Sequence, residues 1–514
     1  MRRRKYIAPL MAIAIILIAP LVYVAMEGPF QSSSPHSSSS STSTSTSCAS
    51  FLGGSRTLKS NLRTVSFEAV TKFQLPSPGR DPNAVAVSPT DESVWFGEQS
   101  IPGVGHLYLN GTLIEYAWPF NYKSFSSDQG YSCSYRTDIW GIALWSGKIW
   151  ASDVSGNQLV ALDPKTGSVT TVKLPTSSSF PYTMTVSPDD DSLWFTEISS
   201  SKIGRVFSNG TLVEYPLLQD GLKEVPAEIT FVNSTLGYYV DVGGAAGSSK
   251  SAVYRFNPQH FSPQMVGTGV TFFSPDSIAA TSNGGGLWID EHGPSSIAFY
   301  NLTTNQVTRY PTSSINYTNT VLPYFVRSDG STSVWFNEHY GNKIARLDLS
   351  TGTLTEYQES DPPPSSASQI DNALTFALSR GGAWFTAWTA NYIGFVDASH
   401  QPPFSLRVRA VNSGIPTIDL RPGGGTTLTM TVEGRSSEQL SLQFSDSESF
   451  GAVPRNVTMA ASVTTIRALD GVANITVTIT AKSVLLPGDY MLLITVSDGL
   501  TLQSNYVRLH VGGG

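Results

Sequence analysis

The stretch Val334-Trp335-Phe336-Asn337-Glu338-His339, followed by Lys343-Ile344-Ala345-Arg346-Leu347-Asp348 and Leu354-Thr355-Glu356-Tyr357, decides the fold. It holds three short apolar and aromatic runs separated by polar or glycine turns, the pattern of consecutive antiparallel strands. Its opening quartet recurs as Trp95-Phe96-Gly97-Glu98, Trp150-Ala151-Ser152-Asp153, Trp194-Phe195-Thr196-Glu197, Tyr238-Tyr239-Val240-Asp241, Trp288-Ile289-Asp290-Glu291 and Trp384-Phe385-Thr386-Ala387. Successive quartets lie 55, 44, 44, 50, 47 and 49 residues apart, close to the period of four-stranded propeller blades. The chain is therefore expected to be all-β, with a seven-bladed β-propeller over residues 65–400, in preference to a solenoid or a tandem sandwich.

The seventh unit is one strand short. After Trp384 comes a third strand, Tyr392 to Asp397, but no outer strand of the Leu-Thr-Glu-Tyr kind. Val70-Thr71-Lys72-Phe73-Gln74-Leu75-Pro76 reads as an outer strand with no blade before it. Joining the two closes the ring and removes the sheet edges that would otherwise template aggregation.

Arg2, Arg3, Arg4 and Lys5 precede an apolar, charge-free run from Tyr6 to Met26. That length suits a membrane helix, and the basic flank places the N-terminus in the cytoplasm. Tyr23-Val24-Ala25 is a poor cleavage site, so an uncleaved signal-anchor over residues 1–27 is favoured over a cleaved signal peptide. Residues 28–64 are rich in serine and threonine and read as a tether. The expected location is the cell membrane, single-pass, with the bulk of the chain extracellular. Asn-x-Ser/Thr acceptors at Asn110, Asn209, Asn233, Asn301, Asn316, Asn456 and Asn474 suit a glycoprotein; Asn110-Gly111 and Asn209-Gly210 are equally explained as hairpin turns. From residue 404 to 514 the tryptophan repeat stops. Alternating runs punctuated by Gly423, Pro487-Gly488 and Asp498-Gly499 then predict an immunoglobulin-like β-sandwich.

The net charge of -7 and the absence of a basic stripe beyond the first five residues exclude a nucleic-acid partner. Cys48 and Cys133 either pair as one disulfide or remain two thiols. No phosphate-binding glycine loop, zinc spacing, nucleophile elbow or calcium loop is present.

The fourth quartet position is acidic in six of seven units: Glu98, Asp153, Glu197, Asp241, Glu291 and Glu338, with Ala387 the exception. A residue repeated in nearly every blade is expected to fix a turn or pair with a cation such as Lys202 or Lys343. Histidine follows the acid only in Glu291-His292 and Glu338-His339, on neighbouring blades. Their bland reading is a solvated surface pair. Their sharper reading is a site in which Glu291 and Glu338 hold a divalent cation, magnesium or calcium, and His292 and His339 serve as catalytic groups.

Ser192-Leu193-Trp194-Phe195-Thr196-Glu197, then Lys202-Ile203-Gly204-Arg205 and Asn209-Gly210-Thr211-Leu212-Val213-Glu214-Tyr215-Pro216, resemble the repeats of the virginiamycin B lyase family, the streptogramin-inactivating lyases. The resemblance runs from about Val65 to Ser399. It implies a seven-bladed, magnesium-dependent lyase that linearises a cyclic depsipeptide by elimination across an ester C–O bond. A quartet glutamate is implied in its site, matched by Glu197, Glu291 or Glu338, together with histidines in a Pro-His-Gly-Ile motif opening the inner strands. Here those positions hold Asn83, Trp140, Tyr182, Ala227, Asp276, Tyr324 and Asn372, so proton abstraction in the family manner is not expected. A ligand-binding top face built from Trp140, Tyr182, Asp276 and Tyr324, taking a peptide, glycan or surface-protein partner, is favoured. The alternative is a divalent-metal-dependent C–O lyase or hydrolase.

Overall fold

The computed structural model describes residues 56–76, 80–99, 103–118, 138–188, 192–243, 250–313, 322–330, 332–359, 373–409, 414–446 and 456–512. Tyr6 to Met26, the Ser/Thr-rich stretch up to residue 55, Cys48, Cys133, Asn316 and Asn372 lie outside them. Every element among the described residues is a strand.

Seven sheets form the propeller, each beginning with an inner strand and running outward in chain order. The inner strands are Pro82–Val87, Ile142–Trp145, Pro181–Val186, Pro226–Asn233, Ile278–Ala280, Pro323–Ser328 and Ala373–Ser379. Blade six shows the plan: Pro323–Ser328, Ser333–Glu338, Lys343–Asp348 and Thr353–Gln358 pair antiparallel in that order. The ring closes as the repeat predicts, with Val70–Gln74 paired to Tyr392–Asp397 as the outer strand of blade seven. Two further strands lie where a tether to residue 64 was expected. Arg56–Asn61 adds a fifth strand to blade one, and Arg63–Phe67 adds one to blade seven, so the propeller begins by Arg56.

Strand alternation explains the quartet. In Leu193–Glu197, Trp194 packs forward against Ile229 and Tyr239 of blade four, while Phe195 packs back against Leu159 and Ala143 of blade two. The Phe195 ring lies over Gly204, where a Cβ would approach it to 2.0 Å, so only glycine fits. The third quartet residue faces forward with the tryptophan, and in blades three and six it joins blades. Thr196 Oγ1 accepts the Thr183 N–H at 3.3 Å and donates to the Ala227 carbonyl of blade four at 2.9 Å. Asn337 Oδ1 accepts the Phe325 N–H at 2.6 Å, and its Nδ2 donates to the Ala373 carbonyl of blade seven at 2.6 Å. Ser152, Asp290 and Thr386 accept N–H groups at or just before the inner strands of their own blades. In blades three, six and seven the capped N–H lies within the register shift of the inner strand, which leaves it outside the ladder and in need of a partner.

The C-terminal unit consists of two sheets. One runs Phe404–Arg409, Gly425–Ser436, Leu469–Ala481, Val457–Ala461. The other runs Thr501–Val511, Gly488–Ser497, Leu440–Asp446, Thr465–Ile466, with Thr417–Leu420 parallel to Thr501–Val511. Leu406, Met430, Val432, Ile475, Val477, Leu492, Ile494, Val507 and Leu509 fill the space between them. This second sheet is continuous with blade six: Thr353–Gln358 pairs with Thr501–Val511 from Thr353↔Asn505 to Tyr357↔Thr501. Met491, Leu493 and Tyr506 share one apolar cluster with Trp288, Ile297, Phe336 and Leu354. The Tyr506 hydroxyl donates to the Pro311 carbonyl at 2.9 Å. The outer edge of blade six is thereby paired rather than exposed.

Because propeller and C-terminal unit share a sheet and a core cluster, the full chain is expected to unfold in one calorimetric transition. Tyr506→Ala is expected to move that whole transition, at a cost of about 3–5 kcal/mol. Two transitions, only one of them shifted, would show that the C-terminal unit melts by itself.

Candidate functional site

The acidic quartet residues do not form an open ring. Glu98, Asp153, Glu197, Asp241, Glu291 and Glu338 are all buried, and partners within or between blades occupy them. Glu291 receives a forked pair of bonds from Arg309 on the outer strand of its own blade, at 2.7 and 2.9 Å. Glu338 meets Lys343 at 2.7 Å, and Lys343 also meets Glu356 at 2.8 Å and donates to Ser313 Oγ at 2.6 Å. Blade three repeats the device, with Lys202 on Glu214 at 2.6 Å and Glu197 accepting from Ser200 at 2.7 Å. Burial raises Glu338 well above the carboxylate range, and Glu356 adds to it against the pull of Lys343. Burial alone would lower Lys343, but Glu338 and Glu356 outweigh it and hold the ammonium charged. Glu291 and Glu338, expected to ligate a metal, are each turned along their blade toward a cation. Among the described residues no group of three or more His, Cys, Asp or Glu side chains gathers to hold a metal ion.

The histidines do meet. His292 Nε2 and His339 Nε2 lie 3.0 Å apart, and both rings are buried, which replaces the solvated-pair reading. His339 stacks on Tyr324 with ring centres 5.1 Å apart and planes within 8°. Burial lowers His292 to about 4 and pushes His339 well below its ordinary value, with His292 adding to the effect. Two neutral imidazoles share the contact, one Nε2–H donating to the other Nε2.

Tyr324 continues this cluster into the channel. Its hydroxyl bonds the hydroxyl of Tyr182, from the far side of the ring, and Trp140 packs on Tyr182 at 5.4 Å. Tyr182 and Tyr324 therefore meet across the neck of the channel, with Trp140 beside them and Asp276 on the neighbouring blade. Tyr182, Asp276 and Tyr324 are buried and Trp140 half-buried. Strand register corrects one member of this ring. Ala373 pairs with Ala387 as Pro323 pairs with Glu338, so Leu374 and not Asn372 is the blade-seven counterpart of Tyr324.

Below the neck lies a cavity of about 380 Å³ lined from all seven inner strands. Its charged groups, Glu228 and Arg327, were not singled out in the sequence. They pair at 2.9 Å across blade five, where Ser277 donates to the same carboxylate. Their signal was positional: both follow the inner-strand opening, Glu228 by one residue more than Ala227 and Arg327 by three more than Tyr324.

The fold and the site define a seven-bladed propeller whose channel neck is an aromatic, histidine-containing cluster, fused to a C-terminal two-sheet unit. Residues 63–230 match the profile of the Virginiamycin B lyase family. Virginiamycin B lyase from Staphylococcus aureus, in a catalytically inactive variant with quinupristin, is 19% identical, covers 63% of this chain and 97% of its own, and superposes with a TM-score of 0.50. A second structure of that enzyme, substituted with selenomethionine, is 21% identical over 67% of this chain and 99% of its own, at a TM-score of 0.47. A gluconolactonase from Xanthomonas campestris is 12% identical over 65% and 100%, at 0.39. No curated protein matches the chain significantly. The propeller is virginiamycin B lyase-like in its repeat and in its fold.

The buried charges set three expected outcomes. Lys343→Met strands two buried carboxylates and is expected to cost about 3–5 kcal/mol in chemical denaturation. Lys202→Met, in the partly exposed blade-three copy, is expected to cost about 1 kcal/mol or less. Asp290 is pushed well above the carboxylate range, first by burial and then by Asp276. The folded state keeps a proton there that the unfolded chain releases above about pH 4, so this group's contribution to stability falls as pH rises. Asp290→Asn, the side chain that blade six uses at this place, is expected to flatten the decline in melting temperature between pH 5 and pH 8.

Proposed function

We propose that this chain is a membrane-anchored, extracellular propeller that binds a peptide, glycan or protein partner at its top face and does not carry out the lyase reaction. The observation behind this reading is the set of residues opening the inner strands: Asn83, Trp140, Tyr182, Ala227, Asp276, Tyr324 and Leu374 include no histidine. Glu291 and Glu338 are both turned to cations of their own blades, which supports a binding role over the family reaction. The apolar run from Tyr6 to Met26 would anchor the chain. The C-terminal unit, read as an immunoglobulin-like sandwich, would act as a structural brace for blade six.

A second reading, a metal-dependent C–O lyase or hydrolase, is favoured by one distance. The 3.0 Å between His292 Nε2 and His339 Nε2 is close to the separation of two imidazoles side by side on one ion with bonds of about 2.0–2.1 Å. Incubation of the full chain with a cyclic depsipeptide and magnesium, calcium or zinc separates the two readings by mass spectrometry. An unchanged ring is expected. A linear product of unchanged mass would establish elimination, and a product heavier by one water would establish hydrolysis. A metal-induced rise in melting temperature that vanishes in His292→Ala/His339→Ala would support the second reading.

A further inference from the structure

Asp276 is the one acidic side chain among the seven that open the inner strands. It is 4% exposed. Its backbone N–H donates to Asp290 Oδ1 at 2.9 Å, but its carboxylate accepts no hydrogen bond from a described residue. The groups around it do not neutralise it. Arg327, on the neighbouring inner strand, is committed to Glu228. Asp290 is spent on the N–H groups of Asp276 and Ser277. Tyr182 and Tyr324, whose hydroxyls are both raised in part by the charge of Asp276, bond each other. His292 and His339 are kept uncharged by burial.

A buried carboxylate without a cation is costly, and its own titration reflects this: burial pushes Asp276 up to about 7. Its neighbours are aromatic. Tyr182 and Tyr324 close the neck, and Trp140 both packs on Tyr182 and lines the cavity beneath. Ring faces beside an unpaired carboxylate suit an organic cation, which gains from the charge and from the ring quadrupoles together. A metal ion fits poorly, since no third ligand group gathers there among the described residues.

We propose that the channel neck recognises an alkylammonium group, such as a lysine side chain or the amino terminus of a peptide, with Asp276 as counter-ion and Trp140, Tyr182 and Tyr324 as aromatic walls. This rests on the top-face binding reading above and selects peptide over neutral glycan as the ligand class. It gives Asp276 a role that does not depend on any reaction.

The probe is Nα-acetyl-lysine amide, compared with its uncharged norleucine analogue by calorimetric titration of the full chain. The lysine probe is expected to bind about tenfold more tightly at pH 8, an advantage that shrinks severalfold at pH 6 as Asp276 takes up its proton. Repeating the titrations in Asp290→Asn isolates Asp276 from its titrating neighbour, and Asp276→Asn is expected to abolish the preference. Should that variant fail to fold, Trp140→Leu is expected to weaken the lysine probe severalfold more than the norleucine probe. Equal binding of the two probes, a preference that survives Asp276→Asn, or no binding of either by folded protein would overturn the inference. The wider binding reading falls separately, to ring opening of the depsipeptide.

Discussion

The third residue of each quartet carries the geometry of the channel. Blades in a propeller touch mainly through side chains, and in blades three, six and seven the inner strand breaks its ladder where it enters the channel, so a backbone N–H there must find another partner. Thr196 and Asn337 solve both problems with one side chain, taking the stray N–H of their own blade and donating to a carbonyl of the next. A short side chain that both accepts and donates does this in blades three and six, whereas blades one and four carry Gly97 and Val240 at this place. Asp290 occupies the same place in blade five and takes the N–H groups of Asp276 and Ser277, but among the described residues it makes no bond to the next blade, and burial with the nearby Asp276 pushes its carboxyl well above the usual range. Where this link fixes the bulge, it also fixes the direction in which the preceding residues face, and the neck of Trp140, Tyr182, Asp276 and Tyr324 is built from those residues.

The blade count, the strand order and the closure by Val70–Gln74 were legible because they depend on local periodicity repeated seven times. Alternation forces Trp194 and Phe195 onto opposite faces whatever the distant chain does. The cation partners of the acids were half legible. Lys202 and Lys343 stand close in sequence to their carboxylates, whereas Arg309 reaches Glu291 from two strands away. Three features were hidden for one physical reason, that they depend on which residues a ring brings together. The phenol contact between Tyr182 and Tyr324 spans 142 residues. The Glu228–Arg327 pair skips a blade, and the continuation of blade six into Thr501–Val511 joins segments with no sequence relation. The misplacement of the blade-seven opening at Asn372 has a different origin, since a strand shift of two residues preserves the side-chain alternation from which register is read.

Repetition and asymmetry divide the labour in this molecule. The features shared among blades, the acid–cation links of blades three, five and six and the packing of tryptophan on the next blade, consume their polar groups in holding sheets together. What sets single blades apart lies where one departs from the others. His292 and His339 extend only blades five and six, and Asp276 alone among its equivalents carries a charge. Blade six also bears the C-terminal unit on its outer edge, so the sheet that carries His339 is braced from both sides, by blade five through Ser313 and by Tyr506 through the shared cluster.

Pro275-Asp276-Ser277-Ile278 stands where the resemblance implies Pro-His-Gly-Ile, and the replacement changes what that position can do. An imidazole there can take a proton and remain a modest charge near neutrality, because its neutral form is the basic one. A carboxyl held near 7 by burial is basic only when it is charged, and in its charged form it attracts a cation into the neck more strongly than it attracts a weakly acidic carbon–hydrogen bond. Ser277 reinforces the difference. A glycine would leave the neighbouring space open, whereas the serine hydroxyl is tied to Glu228 and helps keep Arg327 on that carboxylate, away from Asp276. At this opening the chain thus holds a buried carboxyl with no hydrogen-bonding partner of its own among the described residues, beside the phenols of Tyr182 and Tyr324.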